Sequence, residues 1–171
     1  SGEKSEIRGI IQIFANTLVK LTLKDATIDQ PNAADTSVRG RAAIDIQGSG
    51  DVEITVKGYN TLKGCGGDAG IQKNDNVSTG TLTITAEDTN QTLNVSADTN
   101  GAAIGGNGYS GDSHGTKNIV IKGGTRMAGD EAVDLLYSID HYEVFSHKKV
   151  DTTTVNGAGC AFSSAITANL V

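Results

Sequence analysis

A small-small-isoleucine element recurs along the first two thirds of the chain, as Ala42-Ala43-Ile44, Ala69-Gly70-Ile71 and Ala102-Ala103-Ile104, at spacings of 27 and 33 residues. Each copy is followed by a polar, glycine-containing turn and then by a short run of Thr and β-branched residues. Val52-Glu53-Ile54-Thr55-Val56, Leu82-Thr83-Ile84 and Ile119-Val120-Ile121 are such runs, and Leu21-Thr22-Leu23 precedes them. Turn formers close each run within a few residues: Asp25, Gly58, Asp88 and Gly123. Helical periodicity is absent from this stretch. Repetition at this period suits stacked units that each contribute two or three strands to parallel sheets. Small residues at one corner let neighbouring units approach, and inward Ile, Leu and Val stack into a narrow core. The expected fold is therefore mainly β: a right-handed parallel β-helix (solenoid) with a short C-terminal α/β segment. An antiparallel sandwich would need regular hairpins with two-residue turns, and the stretches between runs are too irregular for that.

Composition changes near residue 125. Residues 1–124 hold 19 of the 22 glycines but only Phe14, Tyr59 and Tyr109 of the seven aromatics; residues 125–171 hold the other four. The predicted division is a β-helix repeat module over 1–124 and an α/β tail over 125–171, with a junction within 117–125. The net charge of −6 excludes a basic nucleic-acid footprint, and no apolar run is long enough for a transmembrane helix. The opening Ser-Gly-Glu-Lys has no basic, apolar leader, so any signal peptide is expected to have been removed or to lie outside this sequence. Cys65 and Cys160 stand alone, without metal-ligand spacing.

Two resemblances follow from particular residues. Thr61-Leu62-Lys63-Gly64, Ala69-Gly70-Ile71-Gln72-Lys73, Gly80 to Ala86 and Gly101-Ala102-Ala103-Ile104-Gly105-Gly106 are similar to repetitive β-helix modules of large bacterial surface proteins. That resemblance covers about residues 40–125. It implies an extracellular or cell-surface, non-catalytic, adhesin-like module with a polysaccharide or cell-surface ligand.

The second resemblance lies in the tail. Lys117 to Gly124, Glu131 to Tyr137, Tyr142-Glu143-Val144 and Val150-Asp151-Thr152 resemble the late strands of phosphomethylpyrimidine and pyridoxal kinases of the ribokinase superfamily. Gly157-Ala158-Gly159-Cys160-Ala161-Phe162-Ser163-Ser164-Ala165-Ile166 resembles their Gly-x-Gly-Cys-x-Phe-Ser signature. Val155-Asn156 departs from the Thr-His usual there. The chemistry can be argued from the residues. Gly157-Ala158-Gly159 leads into a segment whose Phe162, Ile166 and Leu170 form a helical stripe. Free N–H groups at such a helix start attract phosphate, and glycine lets backbone approach it closely. A thiol there has a lowered pKa, which makes Cys160 a candidate base; in the family, the residue at this position takes that role. The same residues also read as a plain turn, with Cys160 a small buried hydrophobe. The kinase resemblance implies ATP and magnesium and a cytoplasmic setting; the β-helix reading requires no cofactor. Nothing in residues 1–114 resembles the substrate half of such a kinase, so the first expectation is a binding module with an inactive tail, and the alternative is a kinase.

Three further signals are weaker. Gly106-Asn107-Gly108-Tyr109-Ser110-Gly111 spells G-x-G-x-x-G, but no helix start follows it, and a glycine-rich turn is expected. The turn carboxylates Asp25, Asp29, Asp68, Asp75 and Asp112 could line a calcium site, although turns favour Asp in any case. His114, His141 and His147 are expected to be solvated loop residues.

Overall fold

The computed structural model describes residues 11–30, 41–88, 90–98, 100–109, 111–124, 130–138 and 141–149. Strands come in triplets. The first is β1 (Ile11–Phe14), β2 (Val19–Lys24) and β3 (Thr27–Asp29). The second is β4 (Ile44–Gln47), β5 (Val52–Lys57) and β6 (Tyr59–Gly64), and the third β7 (Ile71–Gln72), β8 (Leu82–Ala86) and β9 (Thr92–Ala97). After these come β10 (Ile104–Gly105), a two-strand ribbon of β11 (Gly108–Tyr109) and β12 (Asp112–Ser113), then β13 (Ile119–Gly124), β14 (Glu131–Ser138) and β15 (His141–Lys148).

Equivalent strands of successive triplets pair in parallel. One sheet runs β1-β4-β7-β10, a second β3-β6-β9, and the largest β2-β5-β8-β13-β14-β15. The small-small-isoleucine element acquires its meaning here: Ile44 stands opposite Ile71, and Ile71 opposite Ile104. Registry in the large sheet repeats the pattern, with Val19, Val52, Leu82 and Ile119 in one row and Leu21, Ile54, Ile84 and Ile121 in the next. Along β2, β5 and β8 these rows alternate with Thr, Lys and Glu, so the apolar set faces inward. Ile28, Ile44, Ile54, Leu62, Ile71 and Leu82 are buried in one continuous core. Each such side chain contributes roughly 1.5–3 kcal/mol by leaving water.

Close backbone approach explains the small residues at the turns. A Cβ at Gly80 would lie 2.1 Å from the Gly50 carbonyl oxygen, and one at Gly50 would lie 2.3 Å from that of Thr17. Only hydrogen fits in that column.

The expected right-handed parallel β-helix with an α/β segment is corrected. The described residues form open sheets of four, six and three strands, and no closed solenoid. The third sheet ends at β9, and in the first sheet β7 and β10 are two residues each. Beyond β13 the large sheet reverses: β13 pairs with β14 antiparallel, and β14 with β15 antiparallel over eight residue pairs. The late strands expected at 131–137 and 142–144 are present as β14 and β15, and the helix expected from about Cys160 lies outside the described residues. The physical reason lies in their pattern. Glu131 to Ser138 and His141 to Lys148 carry Val133, Tyr137, Tyr142, Val144 and Phe145, residues that favour strands, and they find their hydrogen bonds in each other and in the edge of β13.

No helix among the described residues is long and apolar enough to cross a membrane.

Candidate functional site

Gly157, Ala158, Gly159 and Cys160 lie outside the described residues. What the structure does show is the platform that leads to them. Residues β13 to β15 extend the large sheet, and the Lys149 amide donates to the Asp130 carbonyl at 2.8 Å, closing the open end of the β14–β15 hairpin. Lys149, the last described residue, thus lies at the antiparallel edge of the sheet.

A cavity of about 530 Å³ lies between β10 and the β13–β14 pair. Its apolar wall is formed by Ile104, Ile119, Ile121, Leu135 and Tyr137. Asn100, Asn107, His114 and Thr116 supply its polar side chains. No Asp, Glu, Lys or Arg among the described residues lines it.

Beside that cavity is a polar cluster with no sequence signature. Lys73 is almost fully buried, and its Nζ donates to the carbonyls of Ser78 at 3.1 Å and Lys117 at 2.9 Å. Burial, and secondarily the positive charge of Lys117, lowers its pKa from the ordinary 10.5 to about 8. Asp51 and Asp75 pull weakly the other way. Asn74 Oδ1 accepts from the Asn107 amide at 3.0 Å, and Asn107 Oδ1 accepts from the His114 amide at 3.0 Å. His114 was expected to be a solvated loop residue. Instead it is half-buried, with Nε2 3.2 Å from Asn76 Nδ2 and Nδ1 3.9 Å from Asp75 Oδ1. A lysine after Ile71-Gln72 gives no hint of burial, because the cause is a turn (residues 73–78) folding over its ammonium group.

The turn carboxylates do not gather. Asp25 Oδ1 accepts from the Tyr59 amide at 3.0 Å, and Asp29 faces Lys63 at 3.8 Å. Asp75 lies near His114, and the Asp112 side chain is outside the described set. Among the described residues no group of three His, Cys, Asp or Glu side chains could hold a metal ion. The G-x-G-x-x-G stretch forms the β11–β12 ribbon, with Gly108 opposite Ser113, and no helix opens from it. Cys65 is a buried free thiol.

Comparison with known proteins then assigns the tail. A family profile described as phosphomethylpyrimidine kinase matches residues 77–171, more than half of the chain. Pyridoxine kinase of Bacillus subtilis (strain 168) is 43% identical over 56 residues, which are 33% of this chain and 21% of that protein. The hydroxymethylpyrimidine/phosphomethylpyrimidine kinase of Aquifex aeolicus (strain VF5) is 42% identical over 57 residues, 33% of this chain and 22% of that enzyme. The corresponding kinase of Staphylococcus aureus (strain MRSA252) is 38% identical over 56 residues, 33% and 20% of the two chains. The chain spans about a fifth of the length of the curated relatives it matches. No solved structure matches it. The β-helix, cell-surface and adhesin reading is corrected by these matches, and the extracellular placement that rested on it loses its basis. By the residues it shares over 77–171, the chain belongs to the phosphomethylpyrimidine kinase family.

Proposed function

We propose that the chain serves ATP-dependent phosphoryl transfer to a hydroxymethyl group on a pyrimidine or pyridine ring. One observation carries this reading: the family match runs through residues 77–171 and so includes Gly157-Ala158-Gly159-Cys160. The relatives that match are named as kinases of pyridoxine and of hydroxymethylpyrimidine.

Each residue of the run has a role that its chemistry suits. The backbone N–H groups of Gly157, Ala158 and Gly159 bind the transferring phosphoryl group, and the two glycines leave that backbone uncovered. Cys160 takes the proton from the acceptor hydroxyl. That oxygen forms a bond to the γ-phosphorus as the bond to the bridging oxygen breaks, and ADP departs with the electron pair. Magnesium with ATP supplies charge neutralisation on the phosphate oxygens.

The test is direct. The folded chain is incubated with ATP, magnesium and either 4-amino-5-hydroxymethyl-2-methylpyrimidine or pyridoxal, and products are separated and weighed by mass spectrometry. A monophosphate of either alcohol supports the reading. Neither monophosphate, from protein whose circular dichroism shows it folded, overturns it.

A further inference from the structure

We propose that the outer edge of β15 pairs with the same edge of a second copy of this chain, joining two large sheets through an antiparallel β15–β15 ladder. The inference stands apart from the phosphoryl-transfer reading, which rests on residues 157–160.

Among the described residues, β15 is hydrogen-bonded to β14 alone and ends the six-stranded sheet. Its register against β14 runs from His141 to Lys148 without a bulge, and the strand holds no Pro. Natural sheets blunt an edge with Pro, bulges or lysines placed along it. β2, at the far side of the same sheet, carries Lys20 and Lys24. In β15 the lysine stands at the last position, and Tyr142 and Val144 are 69% and 57% exposed. The edge is therefore long, regular and partly apolar.

Ladder parity fixes which backbone groups face outward. The Lys149 amide donates to the Asp130 carbonyl, and hydrogen-bonded pairs alternate with non-bonded ones along an antiparallel ladder. Odd-numbered residues of β15 thus turn their backbone groups to β14, and Tyr142, Val144, Ser146 and Lys148 turn theirs outward. In a twofold pair, outward groups must meet outward groups. One register engages all four: Val144 opposite Ser146, and Tyr142 opposite Lys148. A shift of two residues either way takes Lys148 or Tyr142 out of the ladder.

The side chains of that register are complementary. Phe145 meets its own copy on the twofold axis, which sets two aromatic rings at the centre. Glu143 falls opposite His147, and the symmetry makes this contact twice, so each carboxylate faces an imidazole rather than a like charge.

Sedimentation velocity of the full chain over a concentration series reads the association, and the sedimentation coefficient is expected to climb from the monomer to the dimer value. Val144→Pro removes an outward N–H and leaves the hydrogen bonds to β14 in place. It should stay folded by far-UV circular dichroism and weaken the dimer about tenfold or more, because the twofold doubles the loss of one hydrogen bond. His147→Glu sets two carboxylates opposite each other and should also weaken the dimer; adding Glu143→Lys to it should restore association. This charge exchange decides the matter if the proline variant does not fold. A parent chain that stays monomeric throughout, as when its own residues cover the edge, overturns the proposal. So does a dimer that His147→Glu leaves unchanged, or one that the double variant fails to restore, since its interface then lies elsewhere.

Discussion

Asn60 Oδ1 accepts the Ala26 amide across 34 residues of sequence at 2.9 Å. From the same side chain, Nδ2 donates to the Lys57 carbonyl at 2.8 Å and reaches the Thr92 carbonyl at 3.4 Å. One fully buried amide thus ties the turns of three successive strand triplets together. Side-chain satisfaction of this kind replaces the backbone ladder where the chain turns between β2 and β3, and between β5 and β6.

Asn60→Ala removes that tie and leaves the Ala26 N–H without its partner, while the Lys57 carbonyl keeps the Asp25 amide at 3.2 Å. The expected loss is about 1–3 kcal/mol, from one donor left unpaired. Urea denaturation should show a lower midpoint with an unchanged slope. A midpoint equal to that of the parent would mean water replaces the amide at no cost.

Lys73 sets a pH dependence. Its folded pKa of about 8 lies below the unfolded 10.5, so the unfolded state holds more protons between those values. Stability therefore rises as pH increases from about 8 to 10.5, and the burial penalty is fully present below about 8. The gain from this group is on the order of 3 kcal/mol. Both carbonyl contacts survive deprotonation, because a neutral amine still has two N–H groups for Ser78 and Lys117. Lys73→Met should abolish the Lys73 part of the rise, seen as a flatter plot of denaturation midpoint against pH. A plot parallel to that of the parent would place the titration elsewhere.

Two glycines separate steric from conformational demand. Gly80→Ala drives a Cβ to 2.1 Å from the Gly50 carbonyl oxygen, a backbone atom in the stacked column. It should cost more than about 3 kcal/mol, since strands β5 and β8 must separate. Gly111 has open space around it but a φ of +81°. Gly111→Ala should cost about 1–2 kcal/mol, from left-handed backbone alone. Melting temperatures of the two variants provide the comparison, and equal losses would remove the distinction.

Cys160→Ala should lower kcat for phosphoryl transfer by about 10²–10⁴, the usual contribution of a positioned base. Cys160→Ser keeps a proton acceptor of much higher pKa and should fall between the two at pH 7. Parent-like kcat in Cys160→Ala would assign the thiol to packing.

Much of the strand layout is legible in the letters. The copies at Ile44, Ile71 and Ile104 align because close packing of triplets needs small residues just before each of them, and those residues are visible as Ala-Ala and Ala-Gly. What the repeat cannot convey is where stacking stops. Nothing in Ile119 to Gly124 distinguishes a strand with one parallel neighbour from one that also takes an antiparallel hairpin; that depends on the pairing of β14, far along the chain. The buried cluster is hidden for a related reason. Lys73, Asn107 and His114 are polar residues in turns, and their burial comes from contacts 5 to 44 residues away. The family signature, by contrast, is local in sequence and readable there, although Gly157 to Cys160 lie outside the described residues.

Transfer of the γ-phosphate of ATP to 4-amino-5-hydroxymethyl-2-methylpyrimidine or to pyridoxal tests the functional account most directly, with simple ATP hydrolysis measured alongside. The account predicts a magnesium-dependent monophosphate whose formation collapses in Cys160→Ala. Folded protein that forms no phosphorylated alcohol, or that forms it equally well without Cys160, would contradict the account.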